Sequence, residues 1–342
     1  MRVLVAMSGG VDSSVAAALL QRAGHEVVGV TMKLWGGASD TGCCSVADVD
    51  DARRVAQQLG LDHYVFNFGA DFTDLVVAPY VADHGVGRTP NPCVECNRHL
   101  KFDLLLRRAD RLGFDAVATG HHARVGRSQG RWRLLRGADA AKDQSYVLHM
   151  LGQQELARVL LPVGDMVKDD ARRLAAELGL RTAAKPDSQD VCFITSTGGR
   201  RQFLRDRLPL HPGRVVDRAG REVGSVPAVE LVTVGQRKGL GVGGSGTPRY
   251  AVAVDVAART VTVGAEGDLL TESLAVDRVT WVDGPVTGEV EVQCSAHGLP
   301  RAATFGGGVV RWSEPQRRVA PGQSVVLYRG DEVLGGGVAA TP

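Results

Sequence analysis

The feature that most constrains this chain is a junction near its start. The apolar run Val3-Leu4-Val5-Ala6 leads almost directly into SGGVDSS, Ser8 to Ser14, and the chain continues SVAAALLQRAG, with apolar residues at helical spacing and Gly24 placed to cap a C-terminus. The reading is strand, loop, helix. Two glycines let the backbone come close to an anion, the serine hydroxyls add donors, and a helix N-terminus supplies positive potential. A bare tight turn needs none of this chemistry. A Walker A loop would require lysine after its glycines, and none follows here.

The alternation continues. EVVGVTMKLW reads as a second strand, DDARRVAQQLGL as an amphipathic helix and HYVFNF as a third strand. A helix through DFTDLVVAPYVADHG follows; after an NPCVECN turn, HLKFDLLLRRADRLG reads as a helix and DAVATGHHARV as a strand. Strands alternating with such helices imply an α/β fold, a doubly wound parallel sheet covered on both faces. Ligands in such sheets bind beyond the carboxyl ends of the strands, where SGGVDSS and TGHH lie. DARRVAQQLGL from Asp51 is echoed by DARRLAAELGL from Asp170; without repeating neighbours, these are two similar helices rather than a repeat.

Past Cys192 the texture changes. Helical periodicity ends after GGRRQFLRDRL, and β-branched runs broken by Gly and Pro follow: GRVVD, VELVTV and RYAVAVDVAARTVTVG, with GQRKGLGVGGSGTP as a long loop. A further series from about Ser273 suggests a small closed barrel. With 342 residues there is chain for three units: an α/β catalytic domain over 1–197, a small central β domain over 198–267 and a C-terminal β-barrel over 268–342. No apolar run reaches the ~18 residues of a membrane span, and six scattered cysteines suit a reducing cytoplasm better than a disulfide framework.

NPCVECN, Asn91 to Asn97, leaves a choice. C-x-x-C is shared by zinc sites, iron–sulfur sites and redox couples, and one thiol could instead act as a nucleophile whose partner lies elsewhere. The net charge of +2 neither demands nor excludes nucleic acid, but only six of the 40 basic residues are lysine, and arginine forks suit phosphate. Two clusters flank the motifs: Arg98, Lys101, Arg107, Arg108 and Arg111 after NPCVECN, and Arg124, Arg127, Arg131, Arg133 and Arg136 after GHH.

SGGVDSS resembles the phosphate loop of the PP-loop ATP pyrophosphatases, whose fold is adenine-nucleotide α-hydrolase-like. With TMKLW, GRTPNPCVECNRHLKF, ATGHHARV, KDQSYVL, DSQDVCFI, GQRKGLGVGG and PGQSVVLYRGDEVLGGG in this order, nearly the whole chain resembles the bacterial tRNA-specific 2-thiouridylases. The resemblance implies ATP-dependent replacement of the C2 oxygen of the wobble uridine of tRNA by sulfur, with adenylation of that oxygen and release of AMP and pyrophosphate. Cys96 matches the nucleophile and Cys192 the persulfide carrier. Ala6, Met7, Ser8, Gly9, Gly10, Val11, Asp12, Ser13, Met32 and Gly120 match ATP contacts, and Asp12 would help hold Mg²⁺. Asn91, Pro92, Cys93, His121, Lys142, Asp143, Gln144 and Gln323 match contacts to the target base or tRNA, with Arg98 or Lys101 favouring thiolate formation. His122 is expected to be a satisfied surface histidine, and Cys43, Cys44 and Cys294 ordinary small residues. The implied partners are tRNA and a sulfur-carrier or cysteine desulfurase protein that donates the persulfide, with the enzyme a cytoplasmic monomer away from membranes.

The sequence departs from the family at Cys93, where aspartate is frequent, so the aspartate role does not transfer. The departure gives room to an alternative, a [4Fe-4S] cluster on Cys93, Cys96 and Cys192. The arginine–tyrosine pair of the family's barrel has no clear counterpart around Ser295-Ala296-His297. Another PP-loop ligase acting on a small molecule would explain SGGVDSS but leave the two cysteines unused, and the intact SGGVDSS together with both cysteines argues against a tRNA-binding protein with a relic loop.

Overall fold

The computed structural model describes residues 1–34, 46–187, 191–195, 199–243 and 246–341; Cys43, Cys44 and the side chain of Cys192 fall outside the description. The chain opens as expected: β1 (Arg2–Ala6), α1 (Val11–Arg22), β2 (Glu26–Lys33), α2 (Val46–Leu59) and β3 (His63–Asn67). A helical run follows, made of α3 (Gly69–Phe72), a π-type segment (Thr73–Val77) and α4 (Ala78–Gly85). The next comprises α5 (Pro92–Glu95), a second π-type segment (Cys96–Leu104) and α6 (Leu105–Arg111). Then come β4 (Ala116–Ala118), a hairpin of β5 (Ala123–Ser128) and β6 (Arg131–Arg136), α7 (Gln153–Leu156), β7 (Val159–Leu160) and α8 (Lys168–Glu177).

The sheet runs β3-β2-β1-β4-β7 with every pairing parallel. Strand order reverses beside β1, and the crevice between the carboxyl ends of β1 and β4 is where such sheets take ligands. Alternation along β1 sends Val3 and Val5 to one face and Leu4 to the other. The first face is covered by α1, α2 and α8, with Ala16, Val55, Ala56 and Ala175 in its core. The echoed sequence thus has a physical account. Its two copies flank α1 on one face of the sheet, where small residues let helices lie close, and Gln58 on one donates to the Gly179 carbonyl beyond the other at 2.9 Å.

Beyond α9 (Cys192–Thr195) and α10 (Arg200–Arg205), the central unit consists of β8 (Gly213–Val216), β9 (Glu222–Val226), β10 (Tyr250–Asp255) and β11 (Thr260–Gly264) in the order β10-β11-β8-β9. The last unit, β12 (Leu270–Trp281), β13 (Gly288–Gln293), β14 (Arg301–Gly306), β15 (Val309–Arg317), β16 (Ser324–Arg329) and β17 (Glu332–Ala339), closes into a six-strand barrel through β12–β17. Closure removes the sheet edges, which fits the expected barrel.

Four local expectations are corrected. DAVATGHHARV is not one strand: it breaks at Thr119–His122 into β4 and β5, which belong to different sheets. VELVTV is not a strand: Val229–Leu231 is a 3₁₀ turn, with the buried Glu230 carboxylate accepting from His211 N at 3.0 Å. NPCVECN is not a turn before a helix but the helix start. Asn91 is its N-cap, its side chain accepting from Cys93 N at 3.1 Å, and Pro92 takes the first position.

The fourth concerns arginine. The β5–β6 hairpin leaves the catalytic unit to pair with the barrel, Leu134 against Val333 and Leu135 against Glu332. Arg124 pairs with Asp331, Arg131 with Asp283, and Arg133 with Asp283 and Glu332. Arg136 pairs with Asp143 at 3.0 Å while lying 3.7 Å over the Tyr328 ring. Four of the five arginines after GHH are therefore mortar between two units rather than cations held out to RNA.

Candidate active site

One cavity of about 720 Å³ lies at the crevice, lined by the loop after β1, the end of β4, the helix start at Pro92 and the 141–144 loop. Close packing shapes its phosphate end. Gly9 has φ +73°, and a Cβ there would collide with the Asp48 carbonyl. At Gly120 a Cβ would lie 2.5 Å from Ser13 N, so β4 rests directly on the first turn of α1. Within the loop, Ser13 Oγ accepts from Ser8 N at 3.1 Å, and Ser14 Oγ donates to Gly10 O at 2.8 Å.

The electrostatic centre is a lysine. Lys168, at the start of α8 and only 7 % exposed, donates to both oxygens of Asp12 at 2.8 and 2.6 Å and lies 2.9 Å from Asp187 Oδ1. An ammonium has three N–H donors; all three have carboxylate partners. Asp187 also meets Lys142 at 2.8 Å and Arg172 at 2.6 Å. His122 Nε2 is 3.0 Å from Asp12 Oδ1. Burial pushes the Asp12 carboxyl up, but the hydrogen bonds from His122 and Lys168 outweigh it and leave Asp12 below the usual carboxylate range. Asp187 is likewise raised by burial, yet bonds to Lys142 and Lys168 hold it well below that range. Lys185 reaches under the loop to Gly9 O at 3.0 Å and to Asp48 and Asp51 at 2.6 and 2.8 Å.

The cavity brings together most of the residues singled out in the sequence. Ala6, Met7, Ser8, Gly10, Val11, Asp12, Ser13, Met32 and Gly120 line it on the expected nucleotide side, and Pro92, Cys93, Cys96, His121, Lys142, Asp143 and Gln144 line it too. Gly9, Asn91 and Gln323 do not. Gly9 holds the loop turn, Asn91 is spent on the helix cap, and Gln323 sits in a barrel turn donating to Thr89 O. The Cys192 thiol lies outside the described residues. Its neighbour Phe193 lines the cavity and packs among Phe72, Tyr80 and Phe203, with ring centroids 5.5, 5.6 and 5.0 Å away, which fixes where α9 begins. Among the described residues no group of three or more His, Cys, Asp or Glu side chains converges as a metal site.

Three side chains differ from expectation. His122 is buried at 2 % exposure and bound to Asp12, not a surface histidine. Asp143 turns its carboxylate inward to Arg136, Gly137 N and Ser145. Arg98 pairs with Glu95 at 3.5 Å, so of the two cations expected to act on Cys96, only Lys101 lines the cavity. His121 is driven far below its usual pKa by burial and is an uncharged ring held 2.7 Å from Thr119 Oγ1. Cys294 fits its expected ordinary role: it packs against the barrel core, and burial pushes its thiol up to about 12. Sequence reasoning missed Lys168, Lys185 and Asp187.

Comparisons with known proteins agree along the whole length. Residues 1–196 match the family model described as tRNA methyl transferase HUP domain, 201–265 the tRNA methyl transferase PRC-barrel domain and 271–339 the aminomethyltransferase beta-barrel domain. The tRNA-specific 2-thiouridylase MnmA of Roseiflexus sp. (strain RS-1) is 46% identical over 368 residues, covering 98% of both chains. That of Chloroflexus aggregans (strain MD-66 / DSM 9485) is 49% identical over 355 residues, covering 99% of this chain and 98% of its own. No described helix is long and apolar enough to cross a membrane.

Proposed function

The chain belongs to the tRNA-specific 2-thiouridylase family, and from that premise we propose that it thiolates the wobble uridine of tRNA at C2 at the expense of ATP. The observation that carries the reading is that a phosphate-type loop and the Cys96 thiol open onto one cavity. A small-molecule ligase would need the loop and not the thiol. Methyl transfer, the word in two of the family descriptions, would give a role to neither.

In the proposed reaction ATP lies with its phosphates on Ser8–Ser13 and its adenine against the Met32 backbone and Gly120. The uridine C2 oxygen attacks the α-phosphorus, the bond to the β-phosphate breaks, and pyrophosphate leaves as N3 gives up its proton. Cys192 carries a persulfide received from a sulfur-carrier or cysteine desulfurase protein. Cys96, as thiolate, attacks the inner sulfur and releases the outer one as sulfide, leaving a Cys96–Cys192 disulfide that external thiol reduces. Sulfide adds at C2 and AMP departs with the original oxygen. Neutral His121 can hydrogen-bond RNA but brings no charge; Lys142 and Gln144 face the same space, Pro92 and Cys93 border the base, and Asn91 and Gln323 act by holding the helix start and the barrel joint. Both Asp12 oxygens are bonded to Lys168 and one also to His122, so Asp12 would hold Mg²⁺ beside the phosphates only by exchanging those partners; the ion would then supply charge neutralisation for the departing pyrophosphate. The division at 1–197, 198–267 and 268–342 is supported by the ranges of the three family matches.

The reading is tested by incubating the protein with ATP, sulfide and unmodified tRNA: one AMP and one pyrophosphate are expected per thiouridine, and none without tRNA. ATP cleavage that needs a small amine instead, or tRNA binding without turnover, would refute it. Stoichiometric iron in anaerobically purified protein would replace the persulfide route by a [4Fe-4S] cluster on Cys93, Cys96 and Cys192.

A further inference from the structure

Charge is divided unevenly between the two β units. Residues 198–267 hold eleven Lys and Arg against six Asp and Glu, whereas residues 268–342 hold six against nine. RNA gains much of its affinity from cations set against its phosphates, so on charge alone the barrel is the poorer of the two surfaces. The arginine-rich hairpin beside it is already neutralised by barrel carboxylates.

The central unit has a cavity of its own, about 380 Å³ and open to solvent, lined by Pro212, Gly213, Arg214, Ser225, Ala258 and Arg259. Among the described residues no acidic one lines it. Arg214 on β8 and Arg259 just before β11 are neighbours across parallel strands: Arg214 N donates to Arg259 O at 2.9 Å, and Arg214 is in register with Thr260. Ser225 lies opposite Arg214 on β9 and adds a hydroxyl. Both arginines are exposed, and neither forms an ion pair among the described residues. The backbone underneath is fixed. Arg259 has φ +50° in a turn closed by Asp255 Oδ1 accepting from Ala258 N at 2.8 Å. The same turn touches the catalytic unit just upstream of NPCVECN, where a Cβ on Gly87 would lie 3.1 Å from Val256, and Thr89 Oγ1 lies 3.4 Å from Thr233 Oγ1.

We propose that the Arg214–Arg259 groove binds a backbone phosphate of tRNA, so that the central β unit supplies electrostatic affinity while the catalytic cavity receives the target base. Two guanidinium forks and a hydroxyl around a carboxylate-free recess match a phosphodiester's unesterified oxygens. The proposal rests on tRNA being the substrate.

The test uses the full-length Arg214→Gln/Arg259→Gln protein, with Arg214→Gln alone as a milder change and Arg301→Gln/Arg311→Gln in the barrel as a charge-matched control. The probe is unmodified tRNA in binding titrations over a salt series, with thermal melting to establish that each variant is folded. The double variant is expected to weaken binding on the order of tenfold at moderate salt and to flatten the plot of log affinity against log salt by roughly 1 to 2; the single variant should do about half of this and the barrel control nothing. A parent that binds tRNA with a salt slope the double variant shares would overturn the groove alone. So would normal tRNA binding combined with lost sulfur transfer from a protein donor, which would make the groove a donor-protein contact. A parent that binds no tRNA would overturn both the groove and the function on which it rests.

Discussion

Lys168→Met is expected to lower tRNA-dependent AMP formation by about 10² to 10³ while leaving tRNA affinity within about threefold. The substitution removes the cation that satisfies Asp12 and Asp187 together. Taking one partner from a buried ion pair typically costs about 3 to 5 kcal/mol, because the remaining charge is left uncompensated. Here the two remaining carboxylates face the space a triphosphate must enter. Lys168→Arg should recover only part of the loss, since a planar fork cannot place three donors where a tetrahedral ammonium does. Pyrophosphate release with saturating tRNA is the measurement; AMP formation within threefold of the parent would make Lys168 a bystander.

The second large effect concerns the two thiols. Cys96→Ser should lower thiouridine formation from a protein persulfide by at least about 10³, because no thiolate remains to attack the carrier sulfur. Cys192→Ser should abolish transfer from the protein donor equally but retain a fraction with concentrated sulfide, which bypasses the carrier. Free sulfide also replaces the product of the Cys96 attack, so Cys96→Ser should retain a similar fraction with it, and comparing the two donors by thionucleoside analysis separates sulfur delivery from its addition at C2. Unchanged protein-dependent transfer in Cys192→Ser would remove that residue from the reaction.

What the sequence made legible was local. The run from β1 through SGGVDSS into α1 announces itself because strand period, glycine, hydroxyls and helix period are contiguous, and the crevice follows from alternating strands and helices. Lys168 and Asp187 were hidden because they reach Asp12 and Lys142 across more than a hundred and about forty-five residues of chain, and no periodicity encodes such a meeting. A signal did exist in composition. Lysine is scarce in this chain, yet Lys101, Lys142 and Lys168 line the cavity and Lys185 holds its phosphate loop from below. Where arginine is the default cation, lysine marks positions that need a compact ammonium.

The β5–β6 hairpin was missed for a different reason. Its turn is Gln129-Gly130, both with positive φ, and glutamine gives a weaker hairpin signal than asparagine would. Its arginines read as an RNA surface because their carboxylate partners Asp283, Asp331 and Glu332 lie about 150 to 200 residues away. His122 was misjudged because burial, not residue type, decides whether a histidine is a surface group, and its partner Asp12 lies 110 residues earlier.

The fate of one oxygen tests the central claim most directly. When tRNA carrying oxygen-18 at C2 of the wobble uridine is thiolated by this protein, mass spectrometry should find the label in the phosphate of AMP, one atom for each thiouridine formed. Label in water or in pyrophosphate would mean that the oxygen was never adenylated, and would contradict the account.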